Sequence, residues 1–125
     1  MNYLEKREVG QDYYLVQQGE PSDDLYFIES GSATAQFELE DGRTVRLRTM
    51  HGGTVIGEVG LYLDSIRTAS VVTTQPSTLY RLSASAIKHM EEQDPEEAAA
   101  LHRWVARLMA ERLAENNDTL VAVLD

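Results

Sequence analysis

A β-hairpin is the clearest structural signal in this chain, and it lies in the stretch ATAQFELEDGRTVRLRTM, residues 33–50. Residues typical of strands run from Ala33 to Leu39 and again from Val45 to Met50. Between them stands Asp41-Gly42, a dipeptide that favours the positive φ angles of a tight turn. The stretch therefore predicts two antiparallel strands joined by a short loop.

Similar short segments lie on both sides of this hairpin. All eight glycines fall in the first 60 residues, mostly about ten residues apart. A strand-like pattern begins directly after Leu4, and a single helical turn fits residues 57–63 better than a strand does. The further predicted strands are Tyr13–Val16, Leu25–Glu29, Ala69–Thr73 and Thr78–Leu82. Short strands at this interval are typical of β-sandwich and jelly-roll folds.

Two helices are predicted after the last strand. Ser83 and Ser85 are both candidate N-caps for a short helix ending near Gln93. Asp94-Pro95 then provides an N-cap and a proline at the first position of a longer helix. The predicted fold class is thus mainly β with C-terminal helices: a β-sandwich or jelly-roll barrel over residues 3–82, then helices over 84–93 and 95–124.

The long helix carries apolar residues at intervals of three and four positions. They are Leu101, Trp104, Val105, Leu108, Met109 and Leu113. We interpret this stripe as part core and part seam of a homodimer. For Trp104, packing in the core is favoured over stacking on a nucleotide base.

Composition limits the possible partners and compartments. The 125 residues suffice for a single domain, residues 1–125, which we expect to be part of a longer protein. A net charge of -10 argues against nucleic acid as a partner. The chain has no cysteine and no run of 18 apolar residues, which is compatible with the cytoplasmic location that we expect.

The usual signatures of enzymes and metal sites are missing from the sequence. Of the three histidines, only His51 lies in the barrel half, and no His-x-His pair exists. No Ser-His-Asp pattern and no Gly-x-x-x-x-Gly-Lys loop are found. We therefore predict that the domain is not an enzyme, with no catalytic residue, no metal site and no cofactor.

The segment from Gly57 to Ser70 instead predicts a site for a small phosphate-bearing ligand. Arg67 can supply a forked pair of donors, and the backbone amides of residues 57–59, 68 and 69 can supply more. Gly57 and Gly60 would allow the main chain to approach the ligand closely. Because a carboxylate repels phosphate, Glu58 is useful there only if it accepts a hydrogen bond from a hydroxyl, such as a ribose 2′-OH.

These residues resemble the phosphate-binding cassette of the cyclic nucleotide-binding domain family. The matching parts are Gly57-Glu58-Val59-Gly60-Leu61 and Arg67-Thr68-Ala69, nine positions apart from acid to arginine. The turn Gln18-Gly19-Glu20, the stretch Leu25–Gly31 and the two trailing helices extend the resemblance over nearly the whole chain. Ile66 departs from the proline often found before the arginine in this family.

The resemblance implies cyclic AMP or cyclic GMP as the ligand. Glu58 would hold the ribose 2′-OH, Arg67 would pair with the cyclic phosphate, and Thr68 would add a hydroxyl. The other residues expected at the ligand are Gly57, Val59, Gly60, Leu61 and Ala69.

The segment from Leu79-Tyr80-Arg81-Leu82 through Leu101-His102-Arg103-Trp104-Val105-Ala106-Arg107-Leu108 also resembles domains attached to the cytoplasmic end of SulP-type anion transporters. This second resemblance implies a membrane transporter as the attached effector, with the domain at the cytoplasmic face of the inner membrane. Two functions remain open from the sequence. One is a regulatory module that transmits ligand binding to an effector, and the other is a nucleotide-free scaffold or dimerisation domain of the same fold.

Overall fold

The computed structural model describes residues 3–20, 24–57, 62 and 69–124, with side chains as far as residue 115. These residues contain eight strands followed by two helices. The strands are β1 (Glu5–Val9), β2 (Tyr14–Val16), β3 (Leu25–Ser30), β4 (Ser32–Glu38), β5 (Thr44–His51), β6 (Thr54–Ile56), β7 (Ser70–Thr73) and β8 (Ser77–Leu82). The helices are α1 (Ala84–Gln93) and α2 (Pro95–Leu124).

The strands form two four-stranded antiparallel sheets. The first sheet has the order β1-β8-β3-β6 and the second the order β2-β7-β4-β5. Consecutive strands often belong to different sheets, as β2 and β3 do and as β6 and β7 do, so the chain crosses repeatedly from one sheet to the other. This arrangement is the predicted jelly roll followed by two helices, and the fold class is confirmed.

One apolar cluster is shared by the two sheets. Tyr26, Ile28 and Leu79 contribute from the first sheet, and Ala33 and Val71 contribute from the second. Ala33 and Leu79 are fully buried. Because each sheet turns one face toward the same cluster, burial of that face holds the sandwich together.

Two of the turns depend on glycine. At the tip of the β4–β5 hairpin, Gly42 has φ +90° and donates its N–H to the carbonyl of Leu39 at 3.0 Å, as the Asp41-Gly42 signal predicts. Between β3 and β4, Gly31 has φ +102°, and a Cβ added there would lie 2.1 Å from the hydroxyl oxygen of Ser77. Only glycine satisfies both demands at position 31.

Helix α1 begins with a side-chain cap. The hydroxyl of Ser83 accepts a hydrogen bond from the N–H of Ala86 at 3.1 Å, and Asp24 accepts one from the N–H of Ala84, also at 3.1 Å. Ser83 is thus the N-cap, while Ser85 lies inside the helix. The first N–H groups of a helix have no partner within the helix, and these two side chains bind two of them in α1.

The chain divides into two compact units, residues 1–88 and 89–125. In the second unit α2 runs to Leu124, past the polar residues 115–119. Trp104 is 45% exposed, so the expectation that it is a buried core residue is wrong, whereas Val105 beside it is buried. None of the described helices combines the length and apolar character that crossing a membrane requires. The predicted single domain over residues 1–125 stays a prediction.

Candidate functional site

The predicted ligand segment starts at the end of the first sheet. Strand β6 pairs with β3, with Ile56 opposite Tyr26, and Gly57 follows directly. Gly57 is buried and has φ +102°, a conformation that residues with a Cβ rarely adopt. The glycine that was predicted to allow close approach of a ligand is therefore required by the backbone itself.

Most of the predicted site residues lie outside the described part of the chain, as do residues 58–61 and 63 of the helical turn predicted over residues 57–63. Between Gly57 and Ala69 only Tyr62 is described, and its side chain is exposed. The predicted site residues that the structure does not describe are Glu58, Val59, Gly60, Leu61, Arg67 and Thr68. Their placement at a ligand stays a prediction.

The segment ends in the second sheet. Ala69 is half-buried, and Ser70 begins β7 opposite Gln36 of β4. Ser70 is only 1% exposed; its hydroxyl accepts a hydrogen bond from the N–H of Gln18 at 2.9 Å and donates one to Oε1 of Glu38 at 3.1 Å. Residues 58–68 therefore join a strand of one sheet to a strand of the other, with a fixed residue at each end.

An exposed apolar strip lies on the β4–β5 hairpin next to this end of the segment. Along β4, Ala33 and Ala35 contact the core, and Phe37 follows on the same face because side chains alternate along a strand. Phe37 is paired with Val45 across the hairpin. The strip consists of Phe37, Val45 and Leu47, which are 41%, 46% and 56% exposed. Leu47 is the extra residue of β5 where the register shifts, since Gln36 pairs with Arg46 and Ala35 with Arg48.

Sequence reasoning missed this strip, although one signal for it exists. Val45 and Leu47 alternate with arginines in β5, so the alternation alone predicts one apolar and one polar face of a strand. It does not reveal the register shift between Ala35 and Gln36, which places Val45 opposite Phe37 on the side of β4 that carries Ala33 and Ala35. An exposed apolar surface of this kind can contact the flat face of a heterocyclic ring.

Positive charge is concentrated near the strip. Arg46 and Arg48 are exposed on β5, in a chain whose net charge is -10. Arg43, just before the same strand, is neutralised by Asp41, with Nε and Oδ2 2.6 Å apart. Arg46 and Arg48 add positive charge to β5 on opposite faces, because Arg46 pairs with Gln36 and Arg48 with Ala35 across a register shift.

A family model described as cyclic nucleotide-binding domain matches residues 6–94, which is most of the chain. The chain belongs to the cyclic nucleotide-binding domain family.

Two curated proteins are similar to this chain over most of its length. Glutaminase 1 of Bradyrhizobium diazoefficiens is 33% identical over 99 residues, which cover 79% of this chain and 15% of that protein. The CRP-like cAMP-activated global transcriptional regulator of Mycobacterium tuberculosis is 28% identical over 107 residues, 86% of this chain and 46% of the regulator. The chain therefore spans less than half of the length of these curated relatives.

A solved structure shows the same fold. The cyclic nucleotide-binding domain from Methylobacillus flagellatus has a TM-score of 0.85 against this chain at 22% identity, and the match covers 95% of this chain and 67% of that one. At this identity the likeness concerns the fold. It includes the two-sheet arrangement from which the predicted ligand segment emerges.

No metal centre is found in the part of the cyclic nucleotide-binding domain that the structure describes. Among those residues no group of three or more potential metal ligands comes together. His51 is exposed at the end of β5, and Nε2 of His102 lies 3.6 Å from Oε2 of Glu91 in the helical unit. The prediction that the domain uses no metal and no cofactor stays a prediction.

Proposed function

We propose that this chain is a regulatory domain that binds cyclic AMP or cyclic GMP through residues 57–69 and transmits that binding to an attached effector. One observation supports this most directly. The segment that carries the family's phosphate-binding pattern connects β6 of one sheet with β7 of the other and ends beside the exposed apolar strip. Phosphate, ribose and base would then each meet a surface of suitable chemistry.

The roles of the residues follow from the chemistry of the ligand. Arg67 would donate two hydrogen bonds to the cyclic phosphate, with backbone amides of residues 57–59, 68 and 69 and the hydroxyl of Thr68 around it. Glu58 would accept a hydrogen bond from the ribose 2′-OH. Phe37 and Leu47 would contact the base, since they are apolar and exposed at the same end of the barrel.

Regulation would follow from a shift in populations. A cyclic nucleotide that binds better to one arrangement of residues 58–68 favours that arrangement, and an attached domain that senses it responds. We assign no catalytic step to the domain. The comparisons give no support for the transporter effector expected from the helical sequence, so the proposal leaves the effector class open.

A nucleotide-free scaffold is the second candidate. Trp104 and Leu113 are 45% and 61% exposed on α2, and such apolar side chains favour contact with a partner or with a second copy. The scaffold function requires no ligand. The two candidates are therefore separated by a binding measurement.

The measurement is a thermal unfolding series with cyclic AMP, cyclic GMP and 5′-AMP. A cyclic nucleotide at about 100 times its Kd should add roughly 2.7 kcal/mol to the free energy of unfolding, or about 10 °C in Tm. Arg67→Ala should weaken binding by roughly 10- to 100-fold, because it removes a charge-assisted contact. Arg103→Ala, an exposed arginine of α2, is the matched control and should bind like the wild type.

A ligand lacking the ribose hydroxyl tests Glu58. The wild type should bind 2′-deoxy cyclic AMP more weakly than cyclic AMP, whereas Glu58→Ala should bind both alike. No Tm shift of nucleotide-free wild-type protein with either cyclic nucleotide would refute the proposal and favour the scaffold.

A further inference from the structure

Gln18 makes an unusual pair of bonds with the end of strand β4. Its side-chain Nε2 donates to the carbonyl oxygen of Glu38 at 3.1 Å, and its Oε1 accepts from the N–H of Glu38 at 2.6 Å. Paired residues of an antiparallel ladder exchange the same two kinds of bond through their backbones. The Gln18 side chain thus takes the place of one more strand residue and holds the last residue of β4.

The same two residues hold Ser70. The ladder between β4 and β7 has its last pair at Gln36 and Ser70, so Ser70 is the terminal residue of that pairing. A terminal pair is supported by a neighbouring pair on one side only and opens most easily. Here the buried Ser70 hydroxyl is bonded to the backbone of Gln18 and to the carboxylate of Glu38, which lie 52 and 32 positions away in the chain.

Ser70 is close in sequence to the residue proposed to bind the phosphate. Arg67 is three positions earlier, and an extended chain spans at most about 3.3–3.6 Å per residue. The Cα atom of Arg67 is therefore held within roughly 11 Å of the Cα atom of Ser70. A displacement of Ser70 would be passed to Arg67 through a very short tether.

We propose that Gln18, Glu38 and Ser70 are positioning residues that hold the C-terminal end of the ligand segment in its binding arrangement before the nucleotide arrives. This inference rests on the proposed function. When only a fraction of the protein has a competent site, the apparent Kd rises in inverse proportion to that fraction. Loss of the cluster should therefore weaken binding of the nucleotide without removing any group that touches it.

The test compares variants of the cluster with neighbours of the same residue type. Gln18→Ala removes both side-chain bonds to the β4 backbone, and Glu38→Ala removes the acceptor of the Ser70 hydroxyl. The side chains of Gln17 and Glu40 make no hydrogen bond or ion pair with the described residues, so Gln17→Ala and Glu40→Ala are matched controls. Glu38→Gln keeps a carbonyl oxygen for Ser70 and is the conservative rescue.

Binding of cyclic AMP and cyclic GMP is measured by isothermal titration calorimetry, and urea unfolding of the ligand-free proteins is measured in parallel. Gln18→Ala and Glu38→Ala should raise the Kd by more than about twofold and by at most roughly 30-fold, the limit set by the full free energy of one or two partly exposed hydrogen bonds. The two controls and Glu38→Gln should stay within about twofold of the wild type. Because the cluster lies at the end of a ladder, the unfolding midpoint should change little.

The possible results separate this inference from the proposed function. Wild-type protein that binds neither nucleotide refutes the proposed function and the inference with it. Wild-type binding that Gln18→Ala and Glu38→Ala leave unchanged overturns the inference alone, as does a lowered unfolding midpoint with an unchanged Kd. If Gln18→Ala fails to fold, the comparison of Glu38→Ala with Glu38→Gln decides.

Discussion

Asp24 joins three elements of the barrel, and breaking this junction should destabilise the protein measurably. Its Oδ2 accepts from Nε and Nη2 of Arg81 at 2.9 and 2.8 Å, and its Oδ1 accepts from the N–H of Ala84 at the start of α1. Arg81 also reaches Glu5 of β1 at 3.2 Å. Asp24→Ala would thus remove a two-pronged ion pair and the hydrogen bond to the first N–H of α1 together.

The expected size follows from how far the pair is buried. The side chains of Arg81 and Asp24 are 28% and 21% exposed, so water weakens their interaction less than it weakens an exposed pair. Charge-assisted hydrogen bonds contribute about 1.5–3 kcal/mol when well formed, and exposed ion pairs about 0.2–1 kcal/mol. We expect a coupling free energy of about 1–2 kcal/mol between Asp24 and Arg81, and Asp24→Ala should cost about 1 kcal/mol more through the lost hydrogen bond from Ala84.

A double-mutant cycle measures the coupling. Urea unfolding is compared for the wild type, Asp24→Ala, Arg81→Ala and the double variant. The matched control is the Asp41–Arg43 pair, which is shorter at 2.6 Å but 52% and 76% exposed, and it should couple by less than about 0.5 kcal/mol. The reasoning fails if the exposed pair couples as strongly as the Asp24–Arg81 pair, or if the latter couples by less than about 0.5 kcal/mol.

Two further predictions concern stability. Gly31→Ala should lower the free energy of unfolding, measured in urea, by more than about 3 kcal/mol, because its Cβ would meet a buried serine. Gly42→Ala should lower it by only about 1 kcal/mol, since Gly42 has a positive φ but open space around it. Equal losses in the two variants would contradict the steric argument. Burial, with a smaller effect of the Asp24 charge, raises the pKa of Tyr26 above its ordinary value of 10.0, so the folded state favours the protonated phenol. Stability should therefore be lost as pH rises from that ordinary value through the folded pKa, and Tyr26→Phe should remove this part of the loss. Urea midpoints at about pH 8 and about pH 10.5 check it, and an identical alkaline loss in Tyr26→Phe would disprove it.

The hairpin and the long helix were predictable because their signals are local. Asp41-Gly42 and Asp94-Pro95 act within a few residues, and both elements are found within one or two residues of their predicted bounds. Strand β6 was missed because it has only three residues and follows Gly52-Gly53, so that it reads as part of a turn. A strand was expected after Leu4, but its limits could not be read from the sequence. Strand β1 (Glu5–Val9) lies at the edge of its sheet and has four charged residues, so it lacks the apolar alternation that marks the limits of a strand.

The candidate site was predictable where it is a local motif and not where it depends on distant contacts. Gly57 was identified from sequence, and the structure gives it a buried backbone with positive φ. The partners of Ser70 could not be found, because Gln18 and Glu38 approach it only after β2, β4 and β7 have paired. Trp104 was misjudged because helical periodicity shows which residues share a face and not whether another element covers that face.

The two fixed ends of residues 58–68 have a consequence for the evolution of this fold. Gly57 follows a strand of one sheet and Ser70 begins a strand of the other, so changes between them need not disturb the strand pairing on either side. The interval can therefore gain, lose or exchange residues cheaply, and a lineage could change the ligand it recognises while the two boundary residues and the barrel stay the same.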